Sequence, residues 1–425
     1  MAFLQKGSTG SEVYALQLAL QRAGFLSEPP DGIFGDRTRD AVFRFQRQNH
    51  IPAYGTVNER TWQALAPWLT GVVYHTVAAG DTFYKIAKQH GTTVSAIRTA
   101  NPTVNPLNIP IGYRLTVPLG FDLVPTDIPY SSLLVRYLVT GLKQRYPFLK
   151  TGSIGNSVMG KSLWLLSVGE GNKRVFYSAA IHANEWITTP VLLRFLEEYA
   201  YQYAVGGAIG GVRASELFRE ATIVFVPFVN PDGTDLVTGA LKSGAAYERA
   251  VAIAKNYPDI PFPCGWKANI RGVDLNLQFP ALWEKAKEQK FAAGFTSPAP
   301  REFVGNAPLT EPEAQALVSF TQSHDFSLIL AYHTQGNIIY WKFNGFEPER
   351  SREIGELLSK ASGYPLTLTP ENQAYAGYKD WFIQTFRLPG YTVECGSGTN
   401  PLPLSQFESI YKANVGLLVT AALEA

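Results

Sequence analysis

Between residues 7 and 69 apolar positions recur at near-helical spacing. Val13, Leu16, Leu18 and Leu20 run toward Phe25, and Gly24 closes that stretch. Asp31-Gly32-Ile33-Phe34-Gly35 reads as a turn, after which Asp36 or Thr38 is placed to cap a second helix carrying Ala41, Val42, Phe45 and Gln46. A shorter third helix covers Glu59 to Leu65. From Val73 to Pro118 the pattern becomes strand, helix, helix, strand, with Asp81 or Thr82 capping the first helix. Pro125, the pair Thr126-Asp127 and Pro129 just beyond Ile128 predict a linker from Gly120 to about Ile128. Beyond it, apolar runs at 175–180, 222–227 and 326–332 alternate with helical stretches at 189–203 and 311–323. Strands buried on both faces and separated by helices predict an α/β domain with a mixed central sheet. The expected organisation is multidomain: a three-helix domain over 1–70, a βααβ module over 71–120, and an α/β domain over 121–425.

Composition fits this division, because 425 residues exceed one ordinary core. With 46% hydrophobic residues the chain has the apolar surface to bury several cores. The balance of 37 basic against 35 acidic residues gives no excess for a nucleic-acid or anionic membrane partner. No run of about eighteen apolar residues occurs, so membrane insertion is not expected and the protein should be soluble. Two cysteines, Cys264 and Cys395, are too few for a disulfide framework, and their redox state stays open. Residues 1–7 show no charged leader followed by an apolar core, so no signal peptide is expected.

Motifs then add identity to the small segments. Gly-Ser-x-Gly-x-x-Val-x-x-Leu-Gln from Gly7, Asp31-Gly32-Ile33-Phe34-Gly35, Ala41-Val42-x-x-Phe45-Gln46 and Gly55-x-Val57-x-x-x-Thr61-Trp62 resemble the three-helix peptidoglycan-binding domain. The 73–118 segment, with Gly80-Asp81-Thr82, Asn101-Pro102 and Ile111-Gly112, is similar to a LysM module. That resemblance implies binding to N-acetylglucosamine-containing glycans, with Gly80, Asp81, Thr82 and the stretch around Ile109 as contact candidates.

In the large segment, Ile181-His182-Ala183-Asn184-Glu185-Trp186 follows an apolar run, placing a His-x-x-Glu pair at a strand's carboxyl end, where open α/β sheets hold ligands. Imidazole and carboxylate are zinc donors, and His333, also at a strand end, is the third candidate, leaving a fourth position open. Asn230-Pro231-Asp232-Gly233, Gly272-Val273-Asp274-Leu275-Asn276, Asp380-Trp381 and Glu394 after Tyr391-Thr392-Val393 follow in order. This series resembles the M14 zinc carboxypeptidase family from about Tyr130 to the C-terminus.

The resemblance implies one Zn2+ per chain held by His182, Glu185 and His333, with Glu394 as the general base that activates water. It implies that Asp274 hydrogen-bonds His182 from behind and that Asn276 contacts substrate. The group stabilising the oxyanion falls on Lys267 or Arg271, and the tyrosine expected near the leaving group on Tyr375 or Tyr378. One position departs from the family. Leu277 stands where an arginine would clamp the substrate's terminal carboxylate, which favours a substrate that continues past the scissile bond.

M14 enzymes with wall-binding modules resemble the γ-D-glutamyl-L-diamino acid endopeptidases, so the expected reaction is hydrolysis of the γ-D-glutamyl–diaminopimelate (or lysine) bond of peptidoglycan stem peptides. The alternatives are removal of single C-terminal residues, and a catalytically silent wall-binding protein. The resemblance also associates the chain with sporulation, in the cytoplasm of a sporulating cell or at the wall or spore.

Overall fold

The computed structural model describes residues 3–371 and 374–425. Contacts divide the chain into Met1–Lys150 and Thr151–Ala425.

In the first unit, helices Ser11–Arg22, Asp36–Gln48 and Glu59–Thr70 enclose Val13, Leu16, Leu20, Phe45, Trp62 and Leu65, all at most 1% exposed. Neither predicted cap serves the second helix. It starts after Gly35, which offers no side chain; Asp36 is already its first residue and pairs with Lys6 at 2.8 Å, while Thr38 turns inward to Gln17. The loops are held by buried amides instead. Gln17 Oε1 accepts from the backbone N–H of Asp31 and Gly32, and its Nε2 donates to the Asp31 carboxylate. Gln46 does the same for the Gly55–Thr56 turn, so two glutamines satisfy backbone groups that no regular element reaches.

The following module pairs Val72–Thr76 antiparallel with Arg114–Pro118 around helices Phe83–Gln89 and Val94–Ala100. Thr82 caps the first helix through the Lys85 N–H, and Asp81 accepts from Ala78 N–H and stands 2.8 Å from His75 Nε2. Ile109 lies against the hydrophobic cluster of Phe83, Ile86, Ile97 and Leu115. Asn101, 5% exposed, joins the second helix to the second strand through the Ile97 carbonyl and both backbone groups of Thr116. Ser132–Arg145 forms a helix capped by Ser131, and Arg145 donates to the carbonyls of Gly71, Leu119 and Phe121. The predicted linker is therefore tied down along its first half.

The second unit is built on an eight-stranded sheet in the order Leu366–Thr367, Ile338–Tyr340, Gly390–Glu394, Leu328–His333, Lys173–Ala179, Ala221–Val226, Ser162–Val168, Lys150–Asn156. The four strands from Gly390–Glu394 to Ala221–Val226 run parallel, and their neighbours on both sides, Ile338–Tyr340 and Ser162–Val168, are antiparallel to them. Successive residues of a strand face opposite layers. Phe176 packs on the side of Phe326, Tyr378 and Phe382, whereas the Tyr177 hydroxyl donates to Leu418 O in the C-terminal helix Phe407–Glu424. The mixed sheet and its flanking helices match the expected architecture. No helix among the described residues is long and apolar enough to cross a membrane.

Candidate active site

Three adjacent parallel strands end side by side. Leu328–His333 lies between Lys173–Ala179 and Gly390–Glu394, with Ala179 opposite Tyr332 and Glu394 opposite His333. Strand register alone thus brings His333 and Glu394 together. His182 and Glu185 come from the turn after Lys173–Ala179, which leaves the sheet through Ala180 at φ 52° and enters a short 3-10 helix, Ala183–Glu185. A positive φ at a residue with a Cβ is costly and persists where surrounding contacts enforce it. Here they do: Ala180 N–H donates to Thr188 Oγ1, and Asn230 N–H donates to Ala180 O.

Asn230 also fixes the distance between the two loops of the site. Its Nδ2 donates to Ile181 O at 3.2 Å and Ala268 O at 3.0 Å, so the loop bearing His182 is tied to the loop bearing Lys267. Gly233 lies where these loops close. A Cβ there would sit 2.6 Å from Ala268 O and 2.8 Å from Ala183 Cβ, so a side chain would push them apart.

The three metal-ligand candidates converge. His182 Nδ1 is 2.9 Å from Glu185 Oε1, His333 Nδ1 is 3.0 Å from Glu185 Oε2, and the two Nδ1 atoms are 3.2 Å apart. All three residues are buried. Asp274 stands behind His182, 3.1 Å from Nε2, so the Nε2–H points at the carboxylate and the Nδ1 lone pair faces Glu185 and His333. Burial alone would raise the Asp274 carboxyl, but His182 and Lys267 hold it well below its ordinary range. Burial likewise disfavours a charged His182, yet Glu185 and Asp274 raise it to about 9. The field at this point thus attracts a cation, and two neutral-capable imidazoles with one carboxylate are the donor set of a catalytic zinc with an open position. The residues fit the metal.

Around the ligands, Lys267 and Arg271 separate. Lys267 Nζ is 2.9 Å from Glu185 Oε1 and lines the cavity, whereas Arg271 turns away and pairs with Glu311 at 3.5 Å. The cause is the turn at Asn269, whose side-chain Oδ1 accepts from the N–H of Arg271 and Val273. Burial opposes a charged Lys267, but Glu185 and Asp274 outweigh it and raise its pKa. Glu394 lines the same cavity, and burial together with Glu185 pushes it up to about 8 against the pull of Lys267 and His182. A dication at the ligand set acts in the opposite sense. Asn276 and Leu277 also line the cavity.

Neither tyrosine candidate is brought to this cavity. Tyr378 is 1% exposed, with its ring among Phe176, Phe279 and Trp381 and its hydroxyl 2.8 Å from Thr321 Oγ1; it is a core residue. Tyr375 packs beside Leu277 and Trp283, its ring 5.6 Å from Lys285 Nζ. Instead, Tyr340 lines the cavity, opposite Thr392 on the neighbouring strand. Lys290, Arg301 and Lys379 line it too, and sequence reasoning passed over all three. Lys379 had a visible signal, a lone cation between Tyr378 and Asp380-Trp381. Arg301 and Lys290 had none, since only the fold gathers them. Cys264 is exposed and Cys395 buried, both as free thiols.

Comparison with known proteins agrees with this geometry. The zinc carboxypeptidase family profile matches residues 135–415, a peptidoglycan-binding domain 9–65 and a LysM domain 75–118. The chain is 43% identical over 301 residues to γ-D-glutamyl-L-diamino acid endopeptidase 1 of Lysinibacillus sphaericus, covering 71% of this chain and 74% of that one. It is 41% identical over 276 residues to the protein YqgT of Bacillus subtilis, covering 64% and 72%. Bovine thrombin-activatable fibrinolysis inhibitor shares the fold at a TM-score of 0.55 and 18% identity, over 70% of this chain and 98% of that one. With its His-x-x-Glu…His cluster, its sheet and these matches, the chain belongs to the M14 zinc carboxypeptidase family of metallopeptidases.

Proposed function

We propose that this protein is a γ-D-glutamyl-L-diamino acid endopeptidase of peptidoglycan stem peptides, carrying one zinc ion and held near its substrate by the two N-terminal modules. The observation that carries the reading is the cavity wall itself: Leu277, at the place of the family's carboxylate-clamping arginine, faces it beside the ligand cluster. An apolar side chain there accepts a chain that continues past the scissile bond. The name of the Lysinibacillus sphaericus relative supports the choice of bond. The peptidoglycan-binding and LysM domains support the choice of polymer, since a tethered module raises the enzyme's local concentration on its substrate.

His182, Glu185 and His333 would hold zinc, which when bound polarises the scissile carbonyl and acidifies water. Glu394 is the general base: it takes a proton from the attacking water and delivers it to the departing amine of the diamino acid. Lys267, with its ammonium fixed beside Glu185, offers a proton donor to the oxygen that gains negative charge. Asp274 keeps His182 in the tautomer whose Nδ1 can ligate.

The test is mass spectrometry of products from L-Ala-γ-D-Glu-diaminopimelate and from the same peptide extended by D-Ala. Release of L-Ala-D-Glu from both is the expected result. Release of D-Ala alone from the longer peptide would instead identify a carboxypeptidase, and no turnover of either a wall-binding protein without catalysis.

A further inference from the structure

Arg301 and Glu302 line the cavity from the loop between helices Trp283–Ala292 and Pro312–Gln322. No regular element holds this loop; the ligand platform does. Pro300 O accepts from the backbone N–H of Lys267 and Ala268 at 2.8 and 2.9 Å, and Phe303 O accepts from that of Asp274 at 2.8 Å. Glu302 N–H donates at 3.1 Å to Asp274 Oδ2, while the other oxygen of that carboxylate meets His182. Glu302 stands at φ 67°, a costly conformation for a residue with a Cβ, and these bonds enforce it. Arg301 is therefore set between two anchored residues, and its place relative to the reacting centre is fixed.

The fold does not consume its side chain. Arg301 is 39% exposed there, and among the described residues its ion pairing is one loose contact, Nε to Glu302 Oε1 at 3.8 Å. Glu302 is held more closely by Lys290, at 2.5 Å. Two cations against one anion leave a net positive charge, and the terminal nitrogens of the guanidinium meet no acceptor among the described residues. The charge is felt at Lys267, whose ammonium it opposes, whereas the groups that shift Glu394 are Glu185, Lys267 and His182. In the mechanism above Lys267 serves the oxygen of the scissile carbonyl and Glu394 the departing amine. A cation beside Lys267 and away from Glu394 lies on the side of the acyl group.

A γ-glutamyl bond leaves an anion on that side. The scissile carbonyl belongs to the side chain of D-glutamate, and the α-carboxylate stays free, separated from it by three carbons. A neutral residue in an α-linked peptide places no carboxylate there. Resting on the γ-D-glutamyl reading above, we propose that Arg301 binds the α-carboxylate of the D-glutamyl residue and is the specificity determinant on the acyl side of the bond. The planar fork matches a carboxylate through two parallel hydrogen bonds. Glu302, kept in place by Lys290, steadies the guanidinium from its Nε side and leaves the two terminal nitrogens to the substrate. An α-amide at the same carbon offers one acceptor oxygen and no charge, so the site selects the free acid.

The experiment compares kcat/KM of the full-length zinc-loaded enzyme on L-Ala-γ-D-Glu-meso-diaminopimelate and on two amides of it, one at the α-carboxyl of D-glutamate and one at the α-carboxyl of diaminopimelate. A charge-assisted hydrogen bond corresponds to roughly 10- to 100-fold, so amidating D-glutamate should lower the value by that factor. Arg301→Gln should bring this ratio of acid to amide close to one, and Arg301→Lys should keep part of it. Equal wild-type rates on the acid and the D-glutamate amide overturn the assignment of Arg301 while leaving the γ-D-glutamyl activity standing. That comparison needs no variant and so survives a misfolded one. An Arg301→Gln enzyme that keeps the wild-type ratio, at whatever absolute rate, also overturns it. So does one that loses discrimination only against the diaminopimelate amide, since the fork would then serve the departing side. Failure to cut the γ-D-glutamyl bond in any peptide removes both proposals together.

Discussion

The two units bury polar groups in opposite ways. In residues 3–150 the buried side chains that pin loops do not titrate near neutrality: the amides Gln17, Gln46 and Asn101, and Arg145, whose fixed charge is spent on backbone carbonyls. In residues 151–425 the neutral locks recur at Asn230 and Gln278, but charges are buried beside them: Glu185, Asp274, Lys379, Asp380, Asp232 and Glu313, none more than 4% exposed. An amide fixes geometry at any pH. A buried charge costs desolvation and must be matched, yet it alone can move protons, hold a metal or tell one ionic substrate from another. The contrast separates a part that needs only shape from a part that needs reactivity.

Removing the carboxylate proposed to shuttle protons should have the largest effect. Glu394→Gln should lower kcat by about 10²- to 10⁴-fold, with zinc content by atomic absorption and peptidoglycan co-sedimentation unchanged. A variant that retains wild-type turnover would remove Glu394 from the chemistry.

Next is the acidic cluster behind the site. Glu313, fully buried, holds the Val158 N–H while Asp232 holds that of Met159, and burial pushes Glu313 up to about 7. Because this carboxyl is raised in the folded state, folding binds a proton between the unfolded value, 4.5, and about 7. Its contribution is complete below that window and is lost as pH rises through it, by at most about 3 kcal/mol. Urea melts of the wild type should show that decline, and Glu313→Gln should flatten it. The N-terminal unit, whose buried amides and Arg145 do not titrate in that window, should show no such decline.

Smaller still is the change behind the ligand. Asp274→Asn should weaken zinc binding about 10- to 100-fold, measured by competition with a chelator. On catalysis the smallest effect belongs to the binding unit: Asn101→Ala should cost about 1–3 kcal/mol of stability by leaving Thr116 unpaired, with no change in hydrolysis of a soluble tripeptide. If that variant altered the rate, the division between shape and reactivity would fail.

Much of this was legible in the sequence, for a physical reason. His182, His333 and Glu394 sit at the ends of apolar runs, and a parallel sheet collects such ends at one edge, so the runs predicted both the fold and the meeting of the residues. Lys267 and Arg271 lay too close in sequence to separate; only the turn at Asn269 sends one inward and the other to Glu311. Tyr378 was misplaced because proximity to Asp380 along the chain says nothing about which side of a helix faces the core. Tyr340 and Arg301 were invisible for the converse reason, since strand pairing and a loop far along the chain bring them in.

The register of Glu394 against His333 bears on how this scaffold can change. A strand displaced by one residue turns every side chain to the other face, so an insertion within either strand would part Glu394 from His333. The stretch between them, from Thr334 to Pro389, carries no such constraint at its loops, and it supplies both Tyr340 and Lys379. Lengthening or trading those loops would offer new substrates to an unaltered reaction centre, which makes the strand ends the heritable part of this enzyme and the intervening turns its room for invention.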